Sequence, residues 1–83
     1  MSITELYGAI AQTEQEIQTE STRLTEREKF LEAQILAHLP KSGHHAAELA
    51  GVRIMLEKLP EWTAQQRTRI YTLTQEIESQ KNK

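Results

Sequence analysis

"AHLPKSGHH", residues Ala37–His45, lies at the midpoint of the chain and separates two long stretches of helix-forming sequence. Pro40 is expected to end the first helix, because a proline disfavours helical backbone at the residue before it. Gly43 permits a turn, and Ser42 can accept backbone N–H bonds as the N-cap of a second helix. The stretch predicts one helical hairpin over residues 1–83, with a first arm at about 2–38, a loop at 39–43 and a second arm at about 44–81.

The composition is that of long helices in one small domain. All 12 acidic residues are Glu, 37% of the 83 residues are hydrophobic, and there is no cysteine. A chain this short buries only a thin core, so we expect a partner or self-association to supply part of the burial. The N-terminus lacks a basic segment followed by an apolar run, and no stretch is long enough to span a bilayer. We therefore expect a cytoplasmic protein without membrane contact.

Apolar residues recur every seven residues along both arms, which is the repeat of a coiled coil. In the first arm, position a of the heptad is occupied by Ile3, Ile10, Ile17, Leu24 and Leu31. In the second arm, the apolar a and d residues are Leu49, Val52, Leu56, Leu59, Ile70, Leu73 and Ile77. This repeat continues in phase through Pro60, where we expect a kink or a break. The predicted fold is all-α, an antiparallel two-helix coiled-coil hairpin.

A turn at the centre of the loop sets which residues of the two arms face each other. In the seam it pairs Leu6 with Ile77 and Leu31 with Val52. Beside the seam the predicted pairs are Glu14–Arg67, Glu16–Arg69, Glu28–Arg53, Arg23–Trp62 and Phe30–Met55. Three of these are ion pairs, and the other two are a cation–π and a sulfur–aromatic contact. Each exposed ion pair is worth at most about 1 kcal/mol, so they indicate the register rather than supply stability.

Near the loop the hairpin has more apolar side chains than one seam can bury. Leu36 and Ile54 fall at position f, which points away from the opposite arm, and Phe30, Met55 and Trp62 lie close by. Such a surface is typical of a binding face. We therefore predict a non-enzymatic protein–protein interaction module, such as an adaptor, chaperone, inhibitor or assembly factor. Its partner is another protein, or a second copy in a helical bundle.

The three histidines of the chain suggest a different use of the loop. A metal-binding or proton-sensing site would draw on His38, His44, His45 and Glu48. However, no tight ligand spacing such as H-E-x-x-H is present, and an imidazole is well tolerated at the half-solvated end of a hairpin. We favour the interpretation as a loop, and predict neither a metal nor a cofactor.

Two further hypotheses concern the polar residues near the middle of the hairpin. A nucleic-acid or nucleotide binder would use the mid-hairpin basic residues, with Trp62 for base stacking. The basic residues are Arg23, Arg27, Lys29, Arg53 and Lys58. Polar residues also interrupt the predicted seam, where Arg27 faces Leu56. Glu20, Thr63 and Gln66, with Arg27 nearby, could form a buried polar cluster that catalyses a reaction or holds a ligand. No pocket or catalytic arrangement of residues accompanies this cluster, so we do not expect an enzyme.

Overall fold

The computed structural model describes residues 1–82 and consists of two helices packed against each other. Helix α1 spans Ile3–Ala37 and helix α2 spans Gly43–Lys81. No strand occurs within residues 1–82. Residues 38–42 connect the helices, and the Leu39–Pro40 peptide bond in this connection is cis. The all-helical, two-helix part of the predicted fold is confirmed.

Serines begin both helices. The Ser2 hydroxyl accepts a hydrogen bond from the Glu5 N–H at 3.1 Å and donates one to the Glu5 carboxylate at 3.2 Å, while its carbonyl accepts from the Leu6 N–H at 3.0 Å. At the second helix the Ser42 carbonyl accepts from the Ala46 N–H at 2.9 Å, whereas the predicted cap by the Ser42 hydroxyl is not observed in residues 1–82. Because the first N–H groups of a helix lack intrahelical partners, a side-chain cap such as that of Ser2 stabilises it, typically by about 1 kcal/mol.

Pro60 lies inside the bounds of α2. The helix therefore does not end at this residue, and the alternative of a broken second arm is wrong. A proline in a helix interior removes one backbone hydrogen bond and crowds the preceding turn. A kink at this position stays a prediction.

The chain divides into two compact units. We call residues Glu20–Pro60 the loop unit, and residues Met1–Thr19 together with the described residues from Glu61 to 82 the terminal unit. Each unit contains part of both helices, so each can be described by its own contacts.

The core of the loop unit is formed by the predicted seam residues. The buried side chains are Leu24, Leu31, Leu49 and Val52, and Ile35, Leu56 and Leu59 pack against them. All except Ile35 stand at an a or d position of the predicted heptads. Burying a leucine side chain contributes about 1.5–3 kcal/mol, so this cluster is the main source of stability in the unit.

Ion pairs join the two helices beside this core. Arg53 contacts Glu28 at 3.5 Å, as the predicted register requires, and also contacts Glu32 at 3.0 Å. Arg27 departs from the prediction that placed it in the seam opposite Leu56. It is exposed, and its guanidinium donates two hydrogen bonds to Glu48, at 2.8 and 2.6 Å. A buried guanidinium would lose its hydration, which explains why this side chain turns outward.

In the terminal unit the buried residues are Leu6, Thr13 and Ile77, and all three stand at predicted a or d positions. Near the chain ends, Lys81 donates to the Tyr7 hydroxyl at 2.9 Å and its ammonium lies 5.5 Å from the centre of the Tyr7 ring. The side chain of Gln80 donates to the Met1 carbonyl at 2.8 Å. These contacts hold the start of α1 against the end of α2.

Two of the three predicted ion pairs do not form. Glu14 and Arg67 line the same groove of the terminal unit, yet no ion pair within 4.0 Å joins them, and none joins Glu16 to Arg69 in residues 1–82. All four side chains are exposed. Exposed ion pairs gain little over hydration and cost side-chain entropy, which explains why the helices pack without these two pairs.

Candidate functional site

Of the eight exposed large apolar side chains in residues 1–82, five lie in the loop unit, and the other three, Met1, Tyr7 and Tyr71, lie in the terminal unit. The five are Phe30, Leu36, Leu39, Ile54 and Met55, and their exposed fractions run from 47% for Phe30 to 75% for Leu36. Four of them were predicted from heptad position. Leu39 was missed because it lies in the connection, where the heptad pattern does not apply. Trp62 is half-buried and belongs to the terminal unit, so the structure does not group it with the other four.

Phe30 and Met55 line one groove between the two helices of the loop unit, which we call the Phe30 groove. It is lined by Arg23, Leu24, Glu26, Arg27, Phe30, Glu48, Gly51, Val52 and Met55. The buried side chains of Leu24 and Val52 contribute the apolar base of this groove. The Arg27 guanidinium lies 4.9 Å from the centre of the Phe30 ring, in cation–π geometry.

Leu36 lines a second groove, which shares no residue with the first and which we call the Leu36 groove. It is lined by Glu32, Ile35, Leu36, Ala46, Leu49, Ala50 and Arg53. The heptad positions explain this separation. Phe30 and Met55 stand at g, on one side of the seam, whereas Ile35 and Arg53 stand at e, on the other side. Ile54 lines neither groove. The loop unit therefore offers apolar surface on two sides of its seam.

Glutamate carboxylates of the loop unit form ion pairs with three of the five basic residues that are candidates for binding nucleic acid. Arg23 pairs with Glu20, Arg27 pairs with Glu48, and Arg53 pairs with two glutamates. Lys29 and Lys58 form no ion pair with other residues in the range 1–82. To bind nucleic acid, three of the five basic side chains would therefore have to give up an ion pair with a glutamate of the loop unit for one with a phosphate.

The histidines are close together at the loop end. The His44 and His45 ring centres are 3.8 Å apart, and those of His38 and His45 are 6.2 Å apart. The His45 Nδ1 is shielded from solvent and has no hydrogen-bond partner. His38 Nε2 lies 3.1 Å from the Gln34 side-chain oxygen. The four candidate ligands do not come together as a group of three or more that could hold a metal ion in residues 1–82.

The surroundings of His45 favour its neutral form. Burial lowers the pKa of His45 below its usual value, and the neighbouring His44, His38 and Arg27 lower it further. Glu48 acts in the opposite direction. A proton on His45 would place a poorly solvated charge near the Arg27 guanidinium.

We predict that the stability of the chain falls as the pH is lowered from 7.5 to 5. Because folding lowers the pKa of His45, the unfolded state binds this proton more tightly. The contribution of neutral His45 to the free energy of unfolding is therefore complete above the pKa of this residue in the unfolded state, about 6.5. It decreases as the pH falls below that value. Thermal unfolding followed by circular dichroism should show a lower Tm at pH 5, and His45→Gln should reduce this change. His38→Gln, an exposed control, should keep most of it. An equal decrease in wild type and His45→Gln would contradict the prediction.

Two threonine hydroxyls of the terminal unit donate to backbone carbonyls of their own helix. Thr13 is buried, and its hydroxyl donates to the Ala9 carbonyl at 2.8 Å. Thr74 donates to the Ile70 carbonyl, also at 2.8 Å. Hydroxyls bonded to carbonyls of their own helix have no adjacent base to activate them. These two hydroxyls are therefore engaged within their own helices.

No family model matches the chain, and no curated protein or solved structure shows a significant match to it. Within residues 1–82, neither helix contains a segment that is both sufficiently long and sufficiently apolar to cross a membrane.

Proposed function

We propose that this chain is a non-enzymatic protein–protein interaction module. It is an antiparallel coiled-coil hairpin whose loop unit packs against helices of another molecule, in the manner of an adaptor, chaperone, inhibitor or assembly factor. The observation that carries this proposal is the set of five exposed large apolar side chains in the loop unit, three of which line grooves between its helices. A cytoplasmic location also stays a prediction.

The chemistry of the two grooves supports helix binding. Phe30 and Met55 are of the residue types that are enriched in protein interfaces. Both grooves run between α1 and α2, and their rims carry charged residues of both signs. An apolar strip between polar rims suits an amphipathic helix, which presents apolar side chains at every third or fourth residue.

Nucleic-acid binding is the alternative, and the ion pairs weigh against it. A phosphate-binding surface needs free cationic groups that release counterions when they bind. Arg23, Arg27 and Arg53 are already paired with glutamates of the loop unit. Moreover, Glu26 lines the Phe30 groove beside two of these arginines and would repel a phosphate.

The proposal is tested by placing a photo-crosslinking amino acid, benzoylphenylalanine, at Phe30 or at Leu36. Irradiation in extracts of the producing cells should give defined protein adducts from at least one position. The matched control is Gln15, which stands at the same outward heptad position f as Leu36, is exposed, and lies in the terminal unit. It should give no discrete adduct. Adducts that contain nucleic acid, or the absence of any adduct beyond that of Gln15, would contradict the proposal.

A further inference from the structure

We infer that the Phe30 groove is occupied by a second copy of this chain, with α2 of each copy crossing α2 of the other at Gly51 in a two-fold arrangement. This inference rests on the proposed function, since it names one partner for one of the two grooves. The Leu36 groove on the opposite side of the seam stays free for a different protein.

Gly51 has no role within its own chain that requires a glycine. It lies inside α2, is exposed, and does not have positive φ. A Cβ added at Gly51 would meet no atom within 4 Å. Glycine is a poor helix former, so at this position the chain gives up helix stability without any packing gain of its own. A missing side chain does, however, let another helix approach the backbone closely.

The groove around Gly51 has apolar groups placed to cover an approaching helix. Phe30 and Met55 are each about half exposed, and both line the groove together with Gly51. In a two-fold arrangement each copy contributes the same side chains to the other. Two aromatic rings and two thioethers would then surround the helix crossing, and all four would lose contact with water.

The charges that line the groove are balanced, as contact with an identical surface requires. Arg23 and Arg27 face Glu26 and Glu48 around the groove. Arg27 and Glu48 already form an ion pair at 2.6 Å, and Arg23 pairs with Glu20. A two-fold axis brings a patch against itself, so a patch with a large net charge would repel its copy. This patch has equal numbers of both signs.

The chain has enough exposed surface for such a contact. Its accessible surface is 6083 Å², whereas a compact monomer of 9.6 kDa exposes about 5,100 Å². Two helices alone cannot enclose a core as a compact domain does, so this excess follows from the two-helix fold. A standard interface removes about 800 Å² from each partner, which the chain can supply.

The test is Gly51→Gln, with Gly8→Gln as the matched control. Both glycines are exposed in helix interiors, and at both a Cβ would meet open space. Glutamine is a better helix former than glycine, so neither change should lower the Tm of the monomer at high dilution. Sedimentation equilibrium should show a dimer for wild type and for Gly8→Gln. Gly51→Gln should raise the dimer Kd at least about tenfold, because its side chain occupies the space of the second helix. Gly51→Ala should act in the same direction with a smaller effect.

Two results would overturn the inference. One is a wild-type chain that stays monomeric up to about 1 mM, and the other is an equal dimer Kd for Gly51→Gln and Gly8→Gln. The crosslinking experiment separates these results from a failure of the proposed function. Adducts of twice the chain mass from position 30 support the second copy. Adducts only with other proteins overturn the inference, while the proposed function stands.

Discussion

Leu31→Ala is expected to lower the free energy of unfolding by about 3 kcal/mol. Leu31 is completely buried and belongs to the four-residue core of the loop unit, so its truncation leaves a cavity lined by the other core leucines and Val52. Small domains are only marginally stable, and a core this thin cannot absorb such a loss. Urea denaturation followed by circular dichroism should show a clearly lower midpoint, or a chain that is largely unfolded without denaturant.

The matched control is Leu36→Ala, which removes the same atoms from the same helix. Leu36 is 75% exposed, so this change should alter the free energy of unfolding by no more than about 0.5 kcal/mol at concentrations where the chain is monomeric. If both variants lost the same stability, the assignment of Leu31 to the core and of Leu36 to the surface would be wrong.

Replacing Phe30 and Met55 together by Glu is expected to abolish self-association. On the second-copy arrangement the two-fold interface would gain four carboxylates and a net negative charge that faces its own copy, and burying this excess charge is strongly unfavourable. We expect a loss of at least about 3 kcal/mol in the free energy of association, roughly a hundredfold in Kd. Both side chains are about half exposed in the single chain, so the helices should be retained. Sedimentation equilibrium measures the association, and circular dichroism measures the helix content.

The companion variant is Leu36→Glu, which adds a charge to the same unit at a site on α1 away from Gly51. Leu36 does not line the Phe30 groove, so the dimer Kd should stay within about threefold of wild type. The crosslinked adducts that form from Phe30 should also be unchanged. If the Leu36→Glu chain became monomeric and the Phe30→Glu/Met55→Glu chain stayed a dimer, the second copy would lie on the other side of the seam. A second control replaces Gln15 and Thr68 by Glu, at two exposed f positions of the terminal unit. This change should leave the dimer Kd and the crosslinked adducts unchanged.

The buried residues of both units were predictable from the sequence. Leu24, Leu31, Leu49 and Val52 in the loop unit follow from seven-residue spacing alone. Side-chain direction in a helix is set by local geometry, so the period determines which residues face the other helix. The Ser2 cap could also have been predicted, because S-x-x-E before an apolar repeat is a known helix-start signal.

Other features depend on how the two helices pack against each other, which the sequence pattern of one helix does not determine. Arg27 stands at a seam position by spacing, yet it lies outside the core because Glu48 of α2 is within reach and a buried guanidinium would lose its hydration. Likewise, position f placed Leu36 on the surface, but only the packed helices show that it lines a different groove from Phe30 and Met55. Periodicity describes one helix at a time. A surface shared by two helices depends on their relative position, which the contacts between them determine.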